Sequence, residues 1–315
     1  MVIRMDANHI VLIFICIFAS GLFMVAFATY QIFINTLFRS DKKKRIRECS
    51  EKGNEAQREI FTQGIKWSEQ CKEATEEVHI INDGLNLYGE YKNFGYDKCA
   101  IIIQGRTESL LYSYFYADVY AKNGYNILVI DTRAHGLSDG KYITAGIIEY
   151  RDVILWIELI KDRYSIKSFL IHGVCIGAAT AIYAYCATKK DNLIKKMVLD
   201  GIFTSYYEIF KNHIIERKRP VLFFVYLVFF VAYLSSGARL LKETPFKRMK
   251  EIEIPILFLW SKDDIYCTME KNQELFAECK SKYKEVKFFP SGRHSFVKYN
   301  NAEDYDKTIA EFLSK

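Results

Sequence analysis

The sequence lacks the patterns that mark metal-binding, cofactor-binding and disulfide-bonded proteins. Its 315 residues contain no histidine, cysteine and carboxylate spacing typical of a metal site, and no glycine loop of the kind that holds phosphates. The eight cysteines show no paired spacing, which fits a reducing compartment rather than a disulfide framework. Internal repeats and low-complexity linkers are also missing. We therefore expect no metal and no cofactor.

Basic residues are in modest excess, and most of that excess lies in one short segment. The formal net charge is +6, and residues 39–47 alone contribute +5. The segment contains one acid, Asp41, and six basic residues: Arg39, Lys42, Lys43, Lys44, Arg45 and Arg47. Such a cluster is typical of contact with anionic lipids and of a topology signal. The charge therefore gives no reason to expect a nucleic-acid partner.

A long apolar segment leads into this cluster. Residues 9–38 contain no Asp, Glu, Lys or Arg, and residues 10–30 alone supply about the twenty apolar residues that span a bilayer. Because the basic cluster follows the segment and only Arg4 precedes it, its C-terminal end is expected to stay in the cytoplasm. We predict a single-pass anchor over residues 1–45, with the rest of the chain in the cytoplasm. The alternative is a signal peptide or an outward-facing anchor, since residues 26–28 (Ala-Phe-Ala) suit cleavage.

Strand and helix signals alternate along the rest of the chain. Polar residues 46–77 are predicted to form a helical stalk, after which apolar strands alternate with amphipathic helices. This alternation is typical of a mostly parallel α/β sheet covered on both faces. The sequence Asn82-Asp83-Gly84 also predicts a hairpin. The predicted strands are residues 78–81, 85–91, 99–103, 126–130, 169–171, 196–199, 256–260 and 286–289. The predicted helices are residues 112–123, 147–163, 178–188, 269–280 and 302–313.

The segment Gly173-Val174-Cys175-Ile176-Gly177 lies between a predicted strand and a predicted helix. A side chain at the apex of a sharp strand-to-helix turn crowds the residues two before and two after it, so only very small residues fit there. The apex residue would present its side chain above a helix N-terminus, which favours an anion. A thiol in that position is expected to have an enlarged thiolate fraction. The pattern predicts a nucleophile at Cys175, the alternative being a small buried core cysteine.

Candidate partners for this cysteine follow the last two predicted strands. Asp263 and Asp264 follow one of them, and His294 lies shortly after the other. Open α/β sheets bind ligands at the carboxyl ends of their strands. His294 could therefore take the thiol proton while an aspartate orients its imidazole. Each residue also has a plainer interpretation, a turn aspartate or a surface histidine. Asp200, at the end of another strand, is an alternative acid.

Further motifs make residues 78–315 similar to the α/β-hydrolase superfamily. Residues 131–140 resemble the D-x-R-G-H-G-x-S-x-G loop after the fourth strand of that family. Residues 244–246 and 254–258 resemble its lead into the strand that bears the acid. Within this superfamily, the chain most resembles the membrane-anchored bacterial hydrolases related to serine aminopeptidases. Its cysteine nucleophile resembles that of dienelactone hydrolase.

The resemblance implies roles for individual residues. In this family the nucleophile, the acid and the histidine follow one another along the chain. That order implies a triad of Cys175, Asp264 and His294, with Asp263 as the fallback acid. Among the other histidines, His135 is expected to brace neighbouring loops, and His172 to be structural.

The same resemblance implies an oxyanion hole formed by two backbone N–H groups, those of Arg106 and Ile176. The sequence departs from the family here, because Gln104-Gly105-Arg106 stands where most relatives carry His-Gly. Backbone donors survive a change of side chain. The oxyanion hole is therefore still expected.

A cysteine nucleophile suits cleavage of an ester, a thioester or a lactone through an acyl-enzyme intermediate. The alternatives are a peptidase resembling serine aminopeptidases, and a non-catalytic protein of this fold that binds a lipid or a partner. The family inserts a cap near residues 203–250. The nearly uncharged residues 220–238 are therefore expected to form a cap helix rather than a second span. Their apolar length indicates a small-molecule acyl or lipid substrate, although they could equally pack on the core.

Overall fold

An eight-stranded sheet lies at the centre of the computed structural model, which describes residues 7–39, 55–216 and 222–315. The strands are β1 (Thr75–Asn82), β2 (Leu85–Lys92), β3 (Lys98–Ile103), β4 (Asn126–Ile130), β5 (Ser168–Val174), β6 (Ile194–Asp200), β7 (Ile256–Ser261) and β8 (Lys284–Phe289). Their order is β1-β2-β4-β3-β5-β6-β7-β8. The pairs β1–β2 and β2–β4 are antiparallel, and every other neighbouring pair is parallel. The predicted mostly parallel sheet is confirmed.

The predicted hairpin between β1 and β2 is also confirmed. Asn82 pairs with Leu85, which leaves a two-residue turn. Both turn residues, Asp83 (φ 51°) and Gly84 (φ 73°), have positive φ values. A two-residue hairpin turn of this kind requires such values, and Asp-Gly provides them readily.

Helices cover the sheet. They are α1 (Ala7–Thr36), α2 (Glu55–Gln70), α3 (Leu110–Ser113), α4 (Asp118–Lys122), α5 (Glu149–Tyr164), α6 (Ile176–Thr188), α7 (Tyr206–Glu216), α8 (Leu222–Ser236), α9 (Pro245–Arg248), α10 (Met269–Glu278), α11 (Val297–Asn300) and α12 (Ala302–Ser314). α5 packs against α6, and α4 against α12. The central strands β4, β5 and β7 are buried along nearly their whole length. Such burial requires cover on both faces of the sheet.

The helix predicted over residues 112–123 is interrupted in the structure. A single 3-10 turn, Tyr114–Tyr116, separates α3 from α4. All three residues of this turn are buried. Three consecutive side chains point to different sides of such a turn. All three are buried here because α2 packs against the turn in addition to the elements on either side of it.

Part of the predicted stalk packs on the domain. α2 contacts α3 and the following 3-10 turn, and its Ile60 is buried. At Gly64 a Cβ atom would lie 2.6 Å from the carbonyl oxygen of Leu111, so the two backbones are in close contact. β1 begins at Thr75, inside the segment expected to be stalk. Residues 40–54, with most of the basic cluster and the start of the expected stalk, lie outside the described residues.

Among the described residues, one helix is long and apolar enough to cross a membrane, namely Asn8–Thr36. Its C-terminal end is built into the domain. Leu37 is fully buried and accepts a backbone hydrogen bond from Ile143 at 2.9 Å. Phe38 forms a β-bridge with Tyr142, and the backbone N–H of Arg39 donates to Lys141 at 2.7 Å.

α8, within the expected cap, packs against both α1 and α7. It has 15 residues, fewer than the ~20 that a membrane span needs. One face, including Val225, Val228 and Phe229, is buried, whereas Phe230 and Leu234 are exposed. Neighbouring residues 217–221 lie outside the described residues.

Candidate active site

Cys175 occupies the apex of a strained turn between β5 and α6. Its φ of 54° and ψ of −111° are rarely adopted by residues other than glycine. A Cβ atom on Gly173 would lie 2.3 Å from the backbone of Gly177, and one on Gly177 would lie 2.3 Å from the carbonyl oxygen of Ile103. The steric need for glycine at both positions, predicted from the sequence, is confirmed. Residues 173–177 are called the elbow below.

A cavity of about 420 Å³ adjoins Cys175. Its walls come from the end of α1, the start of α2, the loop after β3, α7 and the loops after β7 and β8. The lining residues are Ile32, Thr36, Gln57, Gly105, Arg106, Thr107, Glu108, Cys175, Tyr206, Ile209, Phe210, His213, Ile214, Tyr266, His294, Ser295 and Phe296. The structure thus brings the predicted nucleophile and the predicted base to one cavity.

His294 is hydrogen-bonded to Asp264. The Nδ1 atom of the imidazole lies 2.8 Å from Oδ2 of the carboxylate. The other carboxylate oxygen accepts the backbone N–H groups of Tyr266 at 2.8 Å and Cys267 at 2.9 Å. The aspartate is therefore held in place, and it fixes the orientation of the ring.

Asp263 has a different set of partners. Its Oδ1 atom accepts hydrogen bonds from the Ser261 hydroxyl at 2.5 Å and from the backbone N–H of Arg293 at 2.7 Å. These bonds join the loop after β7 to the loop after β8. Of the two adjacent aspartates, it is Asp264 that the structure places against His294.

The environment of His294 favours a charged imidazole. Burial opposes the charge, but the carboxylate of Asp264 and the nearby sulfur of Cys175 outweigh it and raise the pKa of His294 well above its usual value. The Nε2 atom is buried and has no hydrogen-bond partner among the described residues. That nitrogen is therefore available for proton exchange with a group in the cavity.

Asp200, the alternative acid, belongs to a buried network beneath the elbow. Its backbone carbonyl accepts the N–H of Cys175 at 2.9 Å, and its carboxylate accepts the hydroxyl of Tyr305 at 2.7 Å. Burial raises the pKa of Asp200 to about 7, and the bond from Tyr305 offsets part of this effect. His172 lies 3.2 Å from the same tyrosine hydroxyl and 2.9 Å from that of Tyr120. Burial lowers the pKa of His172 to about 3, and this neutral ring supports the elbow from below.

The loop expected to supply an oxyanion donor lies beside the nucleophile. A Cβ atom built on Gly105 would lie 3.9 Å from that of Cys175. Within the described residues, the backbone N–H groups of Arg106 and Ile176 have no hydrogen-bond acceptor. Neither N–H group therefore has its hydrogen-bonding capacity taken up within the protein.

His135 holds this loop. Its Nε2 atom lies 2.8 Å from the carbonyl oxygen of Arg106, and its Nδ1 atom lies 3.0 Å from the hydroxyl of Thr132. Burial lowers the pKa of His135, which favours a neutral ring. Nδ1 also lies 3.1 Å from the carbonyl oxygen of Arg133, and the hydrogen bonds to the two carbonyl oxygens offset part of the effect of burial on the pKa. This geometry matches the bracing role expected of His135.

One group of side chains near the site has the composition of a metal site. The potential ligand atoms of Asp264, Cys267 and His294 all lie within 4.8 Å of one another. A metal ion would have to displace the hydrogen bond between the aspartate and the histidine. It would also need a thiolate, whereas burial, followed by the nearby carboxylate, raises the pKa of Cys267 to about 12. The residues fit a proton-transfer pair better than a metal site.

α1 contributes Ile32 and Thr36 to the cavity wall, which was not predicted from the sequence. One signal could have revealed it. The apolar segment over residues 9–38 is about ten residues longer than a span requires. Glu108, a buried carboxylate in the wall, and Cys267 were also missed, and nothing in their local sequence marks them.

Comparisons with known proteins agree with the fold. Residues 101–239 match the family described as "alpha/beta hydrolase fold", and residues 231–300 match "Serine aminopeptidase, S33". The uncharacterized protein YqkD of Bacillus subtilis (strain 168) is 30% identical over 218 residues, which cover 68% of this chain and 70% of that protein. The Pyrococcus furiosus esterase Pf2001 has a TM-score of 0.67 and 24% identity, covering 78% of this chain and 93% of that one. An alpha-beta hydrolase from Vibrio vulnificus has a TM-score of 0.61 and 19% identity, covering 86% of this chain and 89% of that one.

Proposed function

This chain belongs to the α/β-hydrolase superfamily, and we propose that it cleaves a carboxylic ester, thioester or lactone with Cys175 as nucleophile. The observation that carries the proposal is the 2.8 Å bond between His294 and Asp264, on the wall of the cavity that Cys175 also lines. The likeness in structure to a protein named as an esterase, that of Pyrococcus furiosus, supports an ester substrate.

In the proposed reaction the thiolate of Cys175 attacks the carbonyl carbon of the substrate. The carbonyl oxygen gains the negative charge, and the backbone N–H groups of Arg106 and Ile176 stabilise it. The bond to the leaving alcohol or thiol then breaks, and His294 gives that group its proton. Water, deprotonated by His294, hydrolyses the resulting thioester and releases the carboxylic acid.

Asp264 acts through His294 in this scheme. Its carboxylate holds the Nδ1–H tautomer, so that Nε2 exchanges protons on the cavity side. It also stabilises the imidazolium that forms when the cysteine is a thiolate. A cysteine needs less help from a base than a serine does, which suits thioester and activated ester substrates.

Attachment to a membrane through α1 is part of the proposal. The helix is continuous through residues 26–28, the possible cleavage site, and Phe33 and Leu37 near its end are buried in the domain. This packing supports a retained anchor rather than a removed leader. The basic residues after the helix support a cytoplasmic active site. Membrane fractionation with alkaline carbonate washing tests the anchor, and release of the protein by the wash would contradict it. Protease accessibility in sealed vesicles tests on which side of the membrane the active site lies.

Steady-state hydrolysis by the full-length protein in neutral detergent tests the activity. The substrates are an acyl thioester, a p-nitrophenyl ester, a lactone and an aminoacyl anilide. We expect turnover of one of the first three, and Cys175→Ala should lower kcat by roughly a thousand-fold or more. Acid quenching of the unmodified protein during turnover should give an acyl-enzyme detectable by mass, and Cys175→Ser, which keeps a nucleophilic atom, should retain more activity than Cys175→Ala.

Two outcomes contradict the proposal in different ways. Turnover of the anilide alone would favour a peptidase resembling serine aminopeptidases, the family matched by residues 231–300. Turnover that survives Cys175→Ala, or no acyl-enzyme with any donor, would favour a protein that binds without catalysis.

A further inference from the structure

The cavity wall beside Cys175 carries an arginine that is not neutralised by a carboxylate. Arg106 lines the cavity, and its guanidinium donates one hydrogen bond, to the carbonyl oxygen of Thr36 at 3.4 Å. Within residues 7–39, 55–216 and 222–315 it forms no ion pair with an acid. A guanidinium has five N–H donors, so most of its hydrogen-bonding capacity is unused.

A second arginine adds to the positive charge at this place. Arg39 is only 6% exposed, and its guanidinium donates to the carbonyl oxygens of Asn35 at 3.4 Å and Phe38 at 3.0 Å. In the described part of the chain it too lacks a carboxylate partner. Burial, and then repulsion from Arg106, lower the pKa of Arg39 to about 10. An anion bound by Arg106 would offset this repulsion.

Glu108 does not balance these charges. It is the carboxylate among the described lining residues, and its Oε2 atom accepts the backbone N–H of Gly105 at 3.2 Å. Burial raises the pKa of Glu108, and the Gly105 bond offsets only part of that effect. Among the described residues, the Glu108 carboxylate forms no ion pair with Arg106 or Arg39, and its hydrogen bond goes to the Gly105 backbone instead.

Another part of the wall is apolar. Ile32 of α1 and Ile209, Phe210 and Ile214 of α7 line the cavity. Such side chains suit an alkyl chain, because burying apolar surface is favourable. The cavity therefore offers two chemically different surfaces next to one nucleophile: an apolar wall and a guanidinium.

We propose that this site selects an acyl ester whose alcohol part carries a phosphate group, with Arg106 binding the phosphate and the apolar wall binding the acyl chain. The inference rests on the proposed function. The anion is assigned to the alcohol part because the alkyl chain of the acyl part has no charged group. Arg106 can bind the phosphate and the substrate carbonyl oxygen at the same time. Its backbone N–H is the proposed oxyanion donor, and its side chain extends toward Thr36 of α1. Phosphate is the preferred anion because the planar guanidinium can bind it with two parallel hydrogen bonds.

Two lipids that differ only in the phosphate test the proposal. Palmitoyl lysophosphatidic acid and monopalmitoylglycerol share the acyl chain and the glycerol. The full-length protein is assayed with each in mixed micelles of a neutral detergent, so that the surface charge of the micelle attracts neither. We expect kcat/KM to be roughly 10- to 100-fold higher for the phosphorylated lipid, the usual effect of a charge-assisted hydrogen bond.

Variants assign the preference to a side chain. In Arg106→Gln the ratio of the two kcat/KM values should fall toward one, while Arg106→Lys should retain part of it. Arg151, an exposed arginine on α5, provides the matched control, because Arg151→Gln removes the same charge away from the cavity. The control ratio should equal that of the unmodified protein.

Each outcome decides between defined alternatives. Equal kcat/KM for both lipids in the unmodified protein, or an unchanged ratio in Arg106→Gln, overturns the phosphate proposal but leaves the hydrolase intact. Absence of turnover with every ester overturns both the phosphate proposal and the proposed function.

Protection of Cys175 from iodoacetamide distinguishes a phosphate carried by a lipid from one carried by a soluble ester. Protection by the lysolipid but not by glycerol phosphate supports a lipid substrate, whereas equal protection by both indicates a soluble phosphate ester and overturns the role of the acyl chain.

Discussion

The guanidinium of Arg106 donates a hydrogen bond to the carbonyl oxygen of Thr36 at 3.4 Å. This contact joins the last turn of α1 to the loop beside Cys175, and both residues line the same cavity. The helix that is long and apolar enough to cross a bilayer therefore ends at the candidate active site. With α1 as a membrane anchor, as we propose, the cavity lies at the membrane surface, where an acyl lipid is within reach.

The two neighbouring aspartates should differ sharply in their effect on catalysis. Asp264→Asn removes the carboxylate that holds the His294 ring, so kcat should fall by roughly 10³- to 10⁴-fold. Asp263→Asn is the matched control, since that side chain bonds the loops rather than the imidazole, and it should lower kcat by less than about ten-fold. Both are measured with the ester that the protein turns over best. Equal losses would remove Asp264 from the proposed triad.

His135 should matter through the loop that it holds. In His135→Ala the carbonyl oxygen of Arg106 loses its donor, and the loop's oxyanion N–H should shift. We expect kcat to fall roughly ten- to hundred-fold with KM nearly unchanged, a fraction of the effect of deleting an oxyanion donor. His135→Gln can keep an N–H donor near the Nε2 position and should recover part of the activity. A loss of thermal stability with an unchanged kcat would show a purely structural role.

The elbow glycines should not tolerate a methyl group. Gly173→Ala places a Cβ atom 2.3 Å from the backbone of Gly177, which cannot move away as a side chain could. The free energy of unfolding should fall by at least the ~1–3 kcal/mol of an overpacked core. Gly21→Ala is the control, because a Cβ atom there meets no atom within 4 Å. Urea denaturation measures both, and equal stability of the two variants would contradict the crowded geometry.

Asp200 should make stability depend on pH. Burial raises its pKa to about 7 in the folded protein, against about 3.9 in the unfolded chain. Between these values the unfolded chain loses the proton and the folded protein keeps it, so rising pH destabilises the fold. Asp200→Asn cannot ionise, and the asparagine oxygen can still accept the Tyr305 hydroxyl. The stability of the variant relative to the unmodified protein should therefore rise from about pH 4 to 7 and then level off. A difference that is the same at every pH would contradict the raised pKa.

Much of the fold could be predicted because its signals are local. The hairpin follows from Asp83-Gly84, which accept positive φ, and the elbow follows from the steric demand on Gly173 and Gly177. Continuous apolar strands predicted the parallel sheet because strands buried on both faces have no polar side. The order of Cys175, Asp264 and His294 became informative through the family resemblance.

The remainder depends on packing between distant segments. Nothing in the periodicity of α1 shows that Thr36 lines a cavity with Arg106, some seventy residues later in the chain. The break in the predicted helix at Tyr114–Tyr116 lies where α2 packs against the chain, a contact that a local helical pattern does not predict. The burial of Arg39 likewise depends on how the end of α1 packs against the domain.

The central claim, an activated Cys175 paired with His294, is tested most directly by alkylation with limiting iodoacetamide. The rate at Cys175 is followed from about pH 6.5 to 8.5 by peptide mass spectrometry of the full-length protein. A free thiol, with a pKa of about 8.5, reacts about fifty-fold more slowly at the lower pH. Because the pKa of His294 is raised, its imidazolium should stabilise the thiolate at pH 6.5, and the rate should change less than about ten-fold. His294→Ala should restore the fifty-fold dependence. A fifty-fold dependence in the unmodified protein, equal to that of His294→Ala, would contradict the account.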